Sequence, residues 1–400
     1  MEITCTKCST TTKLDLSFEA SYFACPNCKT IYFKARNDEF AFKTSCSEKT
    51  YLYAFSVGQK ATFNNKEYKV TGVLIKKYKN VLRWAEYILQ NYEGSFLYLS
   101  ESDGNFILLE EIEYEKKVGN HPLVIEHENL SFDQYDYSYP NLSYASGFFD
   151  FNILERIELI EYINPPYILS FEKFEKTQIA YYGKHISRSA VKKAFKTSSI
   201  PSKSGIGVVQ VFPINVRNLA IIFCTVAILI LFSQLYINKD RKSQEVLNTS
   251  VPFNGFVSKD FVSPSFELKG GSAPLQINVS SNVDNSWANV QVALVNEITN
   301  EEIYASKDIE YYHGYTEGEN WTEGSTTENF NICGVSAGKY HVTVVPTKAP
   351  EDTSNSFVTI KATWNEPSLR NFFMTIIFMA VFVILVYYWS KYFEYKRWEE

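Results

Sequence analysis

Two apolar stretches constrain this chain more than any other feature. Leu219 to Ile237 and Asn371 to Trp389 each run 19 residues without an Asp, Glu, Lys or Arg. About 20 mainly apolar residues cross roughly 30 Å of hydrocarbon as a helix. Neither stretch has the polar face that a soluble helix of this length shows. The second ends in Tyr387, Tyr388 and Trp389, then Lys391, which reads as an interfacial aromatic belt with a snorkelling cation. Transmembrane helices are therefore expected over 219–237 and 371–389, with the lipid bilayer as a partner.

Charge sets the expected orientation. From Lys184 to Arg217 there are seven basic residues and no acid, and Lys391, Lys396 and Arg397 follow the second span. Residues 239–370 carry 10 Lys and Arg against 17 Asp and Glu, a balance of −7. The residues next to the first span lean the other way, with Lys239, Arg241 and Lys242 after it. The wider balance and the absence of an apolar leader in Met1–Ser9 favour cytosolic N- and C-termini and extracytoplasmic residues 238–370.

The strongest local motif is Cys5-Thr-Lys-Cys8 with Cys25-Pro-Asn-Cys28. Two such pairs can supply four thiolates to one tetrahedral Zn²⁺, and four thiolates leave no open position for chemistry. A structural zinc ribbon is expected over 1–35, with Cys5, Cys8, Cys25 and Cys28 as ligands. Paired spacing of this kind points to a metal site in a reducing compartment, not to a disulfide framework.

Away from the spans the chain is rich in strand formers, with 30 Phe and 28 Tyr. Turn signals at Asn64-Asn65, Asn91 to Gly94 and Asp103-Gly104 divide residues 50–125 into short strands, as in a barrel or a strongly coiled sheet. Trp84 and Glu86 share one face of a strand, as a ligand-binding pair or as a core Trp beside a buried Glu. Pro165-Pro166 reads as an extended connection. Between the spans, 250–365 reads as a β-sandwich. Its oddest stretch, 311–324, reads as a Gly-rich loop in which Tyr312, Glu317, Glu319, Trp321 and Glu323 interleave aromatic rings and carboxylates. Those groups could take Ca²⁺, an organic cation or a glycan, or could simply be solvated. The expected fold class is mainly β: a zinc ribbon, small antiparallel barrel-like units over 50–125 and 126–200, and two transmembrane helices flanking a sandwich.

The order of motifs then becomes specific. Phe55 to Gly58 (F-x-V-G), Glu67 to Gly72 (E-Y-x-V-x-G), Trp84 to Leu89 (W-x-E-Y-x-L), Leu97-Tyr98-Leu99 and Asp103-Gly104 follow one another. Glu161 to Glu172, Tyr182-Gly183 and Val191 to Phe195 continue the series. This order resembles a bacterial family, domain of unknown function 4178, over roughly residues 1–200. Long members look similar, with a zinc ribbon, this region and membrane spans. One departure stands out: where members often carry Trp after the mid-domain glycine, Gly147 is followed here by Phe148 and Phe149. The resemblance implies the bacterial cytoplasmic (inner) membrane and companionship with other membrane proteins. It implies no activity.

No G-x-S-x-G, H-E-x-x-H, P-loop or G-x-G-x-x-G occurs. A net charge of −6 argues against nucleic acid as a partner. Three functions remain in order: an accessory or scaffold subunit of a membrane complex, a transmembrane sensor whose outer sandwich binds a ligand, and an enzyme of unknown type.

Overall fold

Strands with apolar residues at every second position need a partner face, and nearly all of this chain is built to supply one. The computed structural model describes all residues except 37–38, 49–52, 80–81, 120, 175–176, 240, 254–259 and 400. The expected start of the second segment at residue 50 lies outside the described residues. The chain divides into two units, Met1–Val216 with Ile384–Glu400, and Arg217–Val383.

In the first unit, strands from all three segments separated in sequence join one antiparallel sheet of 14 strands. From one edge it runs Val124–His127, Leu130–Ser138, Glu158–Asn164, Tyr167–Lys173, Gln178–Ile186, Asn105–Ile112 and Phe96–Ser102. It continues through Leu82–Asn91, Lys66–Tyr78, Asn141–Phe149, Tyr22–Ala24, Thr30–Lys34 and Phe40–Ser45, with Lys60–Phe63 also paired to Lys66–Tyr78. It does not close into a barrel. It curls strongly instead, because Lys76 and Glu172, five strands apart in this order, meet at 2.7 Å. In a flat sheet those strands would lie about 24 Å apart, at roughly 4.8 Å per step, well beyond the reach of both side chains.

The turns are those the composition favours. Asn64-Asn65 and Asp103-Gly104 carry positive φ at both central residues, the backbone that lets a two-residue hairpin follow the strand twist. Pro165-Pro166, expected as an extended connection, is instead the two-residue turn between Glu158–Asn164 and Tyr167–Lys173, with a cis peptide bond. Gly147 has φ +108°, and a Cβ there would lie 2.2 Å from the Thr71 carbonyl oxygen. Only glycine fits that contact.

One face of the curled sheet is covered by the helix and, further along, by the ribbon. Ala85, Tyr87, Leu89, Leu97, Leu99 and Phe106 pack with Phe55 under the helix Arg188–Ala194, which adds Val191 and Ala194. The ribbon packs its own small core on Phe148 of the main sheet, whose ring lies 4.9 Å from Phe23. That is where the Phe148 departure sits: in the ribbon's core.

In the second unit, two antiparallel sheets sandwich a common core. One holds Gln244–Pro252, Phe357–Trp364, Ala273–Ser281 and Thr327–Val335. The other is built on Gly338–Lys348, Ser286–Asn296, Glu302–Thr316 and Glu319–Ser325. Alternating residues such as Leu275, Ile277 and Val279 face Val290, Val292 and Leu294 in between. The helices Val216–Asn238 and Arg370–Glu399 are both long and apolar enough to cross a membrane, and the protein covers almost none of their apolar surface.

Candidate functional site

The inner face of the curled sheet is where this fold departs from an ordinary apolar core. Strand alternation sends Ala85 and Tyr87 to the packed face, and therefore Trp84 and Glu86 to the other. Register carries that second face across the neighbours: Leu74 opposes Glu86, Lys76 opposes Trp84, Glu86 opposes Ser100, and Ser170 opposes Tyr181. These residues line a cavity of about 80 Å³, which adjoins a larger one of about 290 Å³. Trp84, Ser100, Ile107, Leu159, Glu161 and Ile168 line both. The larger volume lies at the low end of the roughly 300–1,000 Å³ typical of small-molecule sites. Gly183 keeps the wall thin: a Cβ there would come within 2.7 Å of Ile168 and 2.8 Å of Leu109.

Charge is concentrated on this face. Lys76 Nζ lies 2.9 Å from Glu86 and 2.7 Å from Glu172, and the Trp84 indole N–H donates to Glu86 at 2.7 Å. Burial works against the lysine's charge, but Glu172 and Glu86 outweigh it and raise its pKa above the ordinary lysine value. In the Trp84–Glu86 pair the partners of the carboxylate are thus the indole and Lys76.

Glu161 has no such support. It makes no hydrogen bond or ion pair among the described residues, and of its two cross-strand neighbours, Asp136 and Ser170, one is another acid. Burial, then the charges of Asp136 and Glu86, push its pKa up to about 8. Like charges directly opposed on paired strands are destabilising. A fold keeps such an arrangement where local stability yields to another demand. Nearby, His185 is held below the ordinary histidine range by burial and by the charges of Lys203 and Arg397. The phenols of Tyr98 and Tyr181, in contact at 5.0 Å, are pushed up by burial and stay protonated.

The larger cavity gains a wall from the far end of the chain. Arg397, 1% exposed, donates to the Val208 carbonyl at 2.6 Å and to the Gln210 carbonyl, and chelates Glu394 at 3.0 and 3.1 Å. Tyr135 donates to the Arg397 carbonyl at 3.2 Å and packs its ring on Trp398, which lines the cavity. Phe212 is wedged against Trp389 and Phe393. The sequence reading missed Lys76, Glu161, Glu172 and Arg397. The signal for the first three was a charge inside an apolar strand, as in Ile160-Glu161-Tyr162. Arg397 carried none beyond its charge.

The cysteine quartet forms a second centre. Cys5 and Cys25 each open a tight turn that ends in a residue of positive φ, Ser9 or Lys29, whose N–H returns to the cysteine carbonyl. The four Sγ atoms lie within 4.8 Å of one another, with Cys5–Cys28 at 3.4 Å and Cys8–Cys25 at 3.6 Å. Zn–S bonds of about 2.3 Å make a tetrahedron with edges of roughly 3.8 Å. The quartet therefore fits one thiolate-bound ion and could hold a metal. Tyr32, Thr10 and Thr30 hydroxyls approach the sulfurs as supporting hydrogen-bond partners.

The stretch 311–324 is not a loop. It is the end of a hairpin in which Glu302–Thr316 pairs with Glu319–Ser325 around a Glu317-Gly318 turn of positive φ. Tyr312 opposes Glu323 and Gly314 opposes Trp321, whose ring covers the glycine. Glu319, Trp321 and Glu323 thus share one exposed face, and Glu317 stands at the turn. Their carboxylates do not converge: among the described residues only the cysteines bring three or more metal-ligating groups together.

Comparison with known proteins yields one family. No curated protein matches the chain. Among solved structures, infectious bursal disease virus Gx strain shares 7% identity over 86% of this chain and 65% of its own, with a TM-score of 0.19. The mosquito-larvicidal Cry4Aa toxin from Bacillus thuringiensis shares 9% over 86% of this chain and 51% of its own, with a TM-score of 0.18. The chain thus spans less than two thirds of either, and at such scores the likeness assigns no fold. Residues 56–188 match the family described as Domain of unknown function (DUF4178). That range holds the strands from Lys60–Phe63 to Gln178–Ile186, hence Lys76, Trp84, Glu86, Asp136, Glu161 and Glu172. The part of the chain that builds the charged inner face, within residues 56–188, thus matches and resembles the DUF4178 family.

Proposed function

We propose that the chain is a non-catalytic accessory subunit of a bacterial membrane complex. In this reading both termini are cytosolic, residues 238–370 lie outside the cytoplasmic membrane, and the cysteine quartet holds zinc. The β body binds a small ligand in its cavity and holds it against the end of its own second membrane helix.

The observation that carries the reading is the seating of that helix end. Thirty residues, Arg370–Glu399, make a helix about 45 Å long, against roughly 30 Å of hydrocarbon. Its last turns therefore emerge from the bilayer. There Arg397 caps the Val208 and Gln210 carbonyls, and Trp398 becomes cavity wall. A change in the cavity and a change in the membrane helix then act on one element. Lys76, clamped between two carboxylates, stays an ammonium and offers no nucleophile. A second reading, a sensor acting through the outer sandwich, draws on the exposed row Glu319, Trp321 and Glu323 beside Tyr312.

The test is purification of the tagged full-length chain in mild detergent, with mass spectrometry of what stays bound. A reproducible, near-stoichiometric membrane protein is expected. Recovery of the chain alone overturns the accessory-subunit reading.

A further inference from the structure

The cavity's charges identify what it takes. Resting on the reading of this cavity as a ligand site, we propose that it binds a small protonated alkylamine. The ammonium sits between Glu161 and Asp136, and the alkyl chain lies along Ile107, Leu159 and Ile168.

Three observations converge. First, the acids outnumber the bases: Glu86, Glu172, Glu161, Asp136 and Asp103 line the two volumes, against Lys76 and Arg83. Lys76 is taken by Glu86 and Glu172, and Arg83 turns to Glu48, 3.3 Å away. His185, the remaining base on this surface, is held neutral. Second, of the three acids left over, Glu161 and Asp136 are directly opposed across paired strands, with no donor from the described residues on Glu161. A cation between them relieves both their repulsion and the missing hydrogen bond. Third, the rest of the surface is of the kind that accepts a short hydrocarbon: Ile107, Leu159 and Ile168 line both volumes, with Trp84 beside them. A bare metal ion fits less well, because no three carboxylates here bring their oxygens together as the four sulfurs do.

Proton linkage gives the site a signature that nonspecific attraction lacks. The groups facing Glu161 are Asp136 on the adjacent strand and, from the strands across the curl, Glu86, Glu172 and Lys76. With a pKa near 8 in the empty cavity, Glu161 is mostly protonated at neutral pH. An arriving ammonium favours the carboxylate, so binding expels up to one proton. Affinity should rise between pH 6.5 and 8.5 and then level.

The experiment is calorimetric titration of the full-length chain in detergent with three near-isosteres: n-butylammonium, n-butanol and butyrate. Two buffers of different ionisation enthalpy read the proton count. The expected result is one n-butylammonium per chain, with proton release at pH 7 and at least tenfold weaker binding of the alcohol and the acid. E161Q, which removes a half-buried acid and should fold at least as well, is expected to lose tenfold or more in affinity and all of the proton release. D136N, at the mouth, is expected to weaken binding while keeping the release. If n-butanol or butyrate binds as well as the amine, the ligand class is wrong while the cavity remains a site. If none of the three binds native protein, the inference fails, and the cavity's role as a ligand site fails with it. The helix seating is tested separately by R397A.

Discussion

Glu161→Gln should make the protein more stable, and by an amount that depends on pH. The native carboxyl has a pKa near 8 in the fold, against 4.5 when solvated, because of burial first and the charges of Asp136 and Glu86 next. A folded pKa above the unfolded one means the protonated form is favoured by the fold. That contribution is complete below pH 4.5 and is lost as pH rises through about 8. At 1.36 kcal/mol per unit, the difference amounts to roughly 5 kcal/mol across the window. Gln mimics the protonated acid and does not titrate, so the variant keeps what the native chain loses. For a body of this size 1 kcal/mol is worth about 2–4 °C. The melting difference between E161Q and native protein should therefore grow by on the order of 10 °C between pH 5 and pH 8.5, with E161Q the higher. Thermal unfolding of both chains in the same detergent at several pH values measures it, and titrating groups that do not interact with Glu161 cancel in the difference. Parallel melting curves, within a degree or two at every pH, would refute the reasoning, because they would mean that Glu161 titrates as a solvated acid.

Two further outcomes follow from the same geometry. Lys76→Met should cost about 3–5 kcal/mol in denaturant unfolding, because it leaves Glu86 and Glu172 facing one another without a cation. Adding E86Q and E172Q should restore most of that loss. Elemental analysis should find one zinc per chain, absent in C25S, and the C25S melt should fall, since the ribbon core is shared with Phe148 of the main sheet.

Some of this architecture was written in short stretches of sequence, and the rest was not. The cysteine pairs, the membrane-length helices and the Asn64-Asn65 and Asp103-Gly104 turns depend on neighbours a few residues apart, and spacing alone reveals them. Alternation likewise placed Trp84 and Glu86 on one face. It could not say which strands pair. Lys66–Tyr78 lies beside Asn141–Phe149, and Tyr22–Ala24 of the ribbon joins the far side of that strand, across long sequence separations. The cavity is a product of those distant pairings and of the curl, so Lys76 and Glu172 meet only in three dimensions. Residues 311–324 looked like a loop because glycines dominated the reading. Yet Gly314 lies beneath Trp321, and Gly318 makes the turn of a regular hairpin. Arg397 was counted as one charge among several that orient the helix, whereas its guanidinium is buried and fixes the helix end to the body.

Everything proposed here depends on the body holding the end of the second apolar helix, Arg370–Glu399. Hydrogen–deuterium exchange of the full-length chain in lipid nanodiscs, native against R397A, tests it most directly. Slow exchange is expected over residues 391–399 in the native protein. R397A should speed exchange there by tenfold or more and leave 371–389 protected by the bilayer. Equal exchange in the two proteins over 391–399 would contradict it.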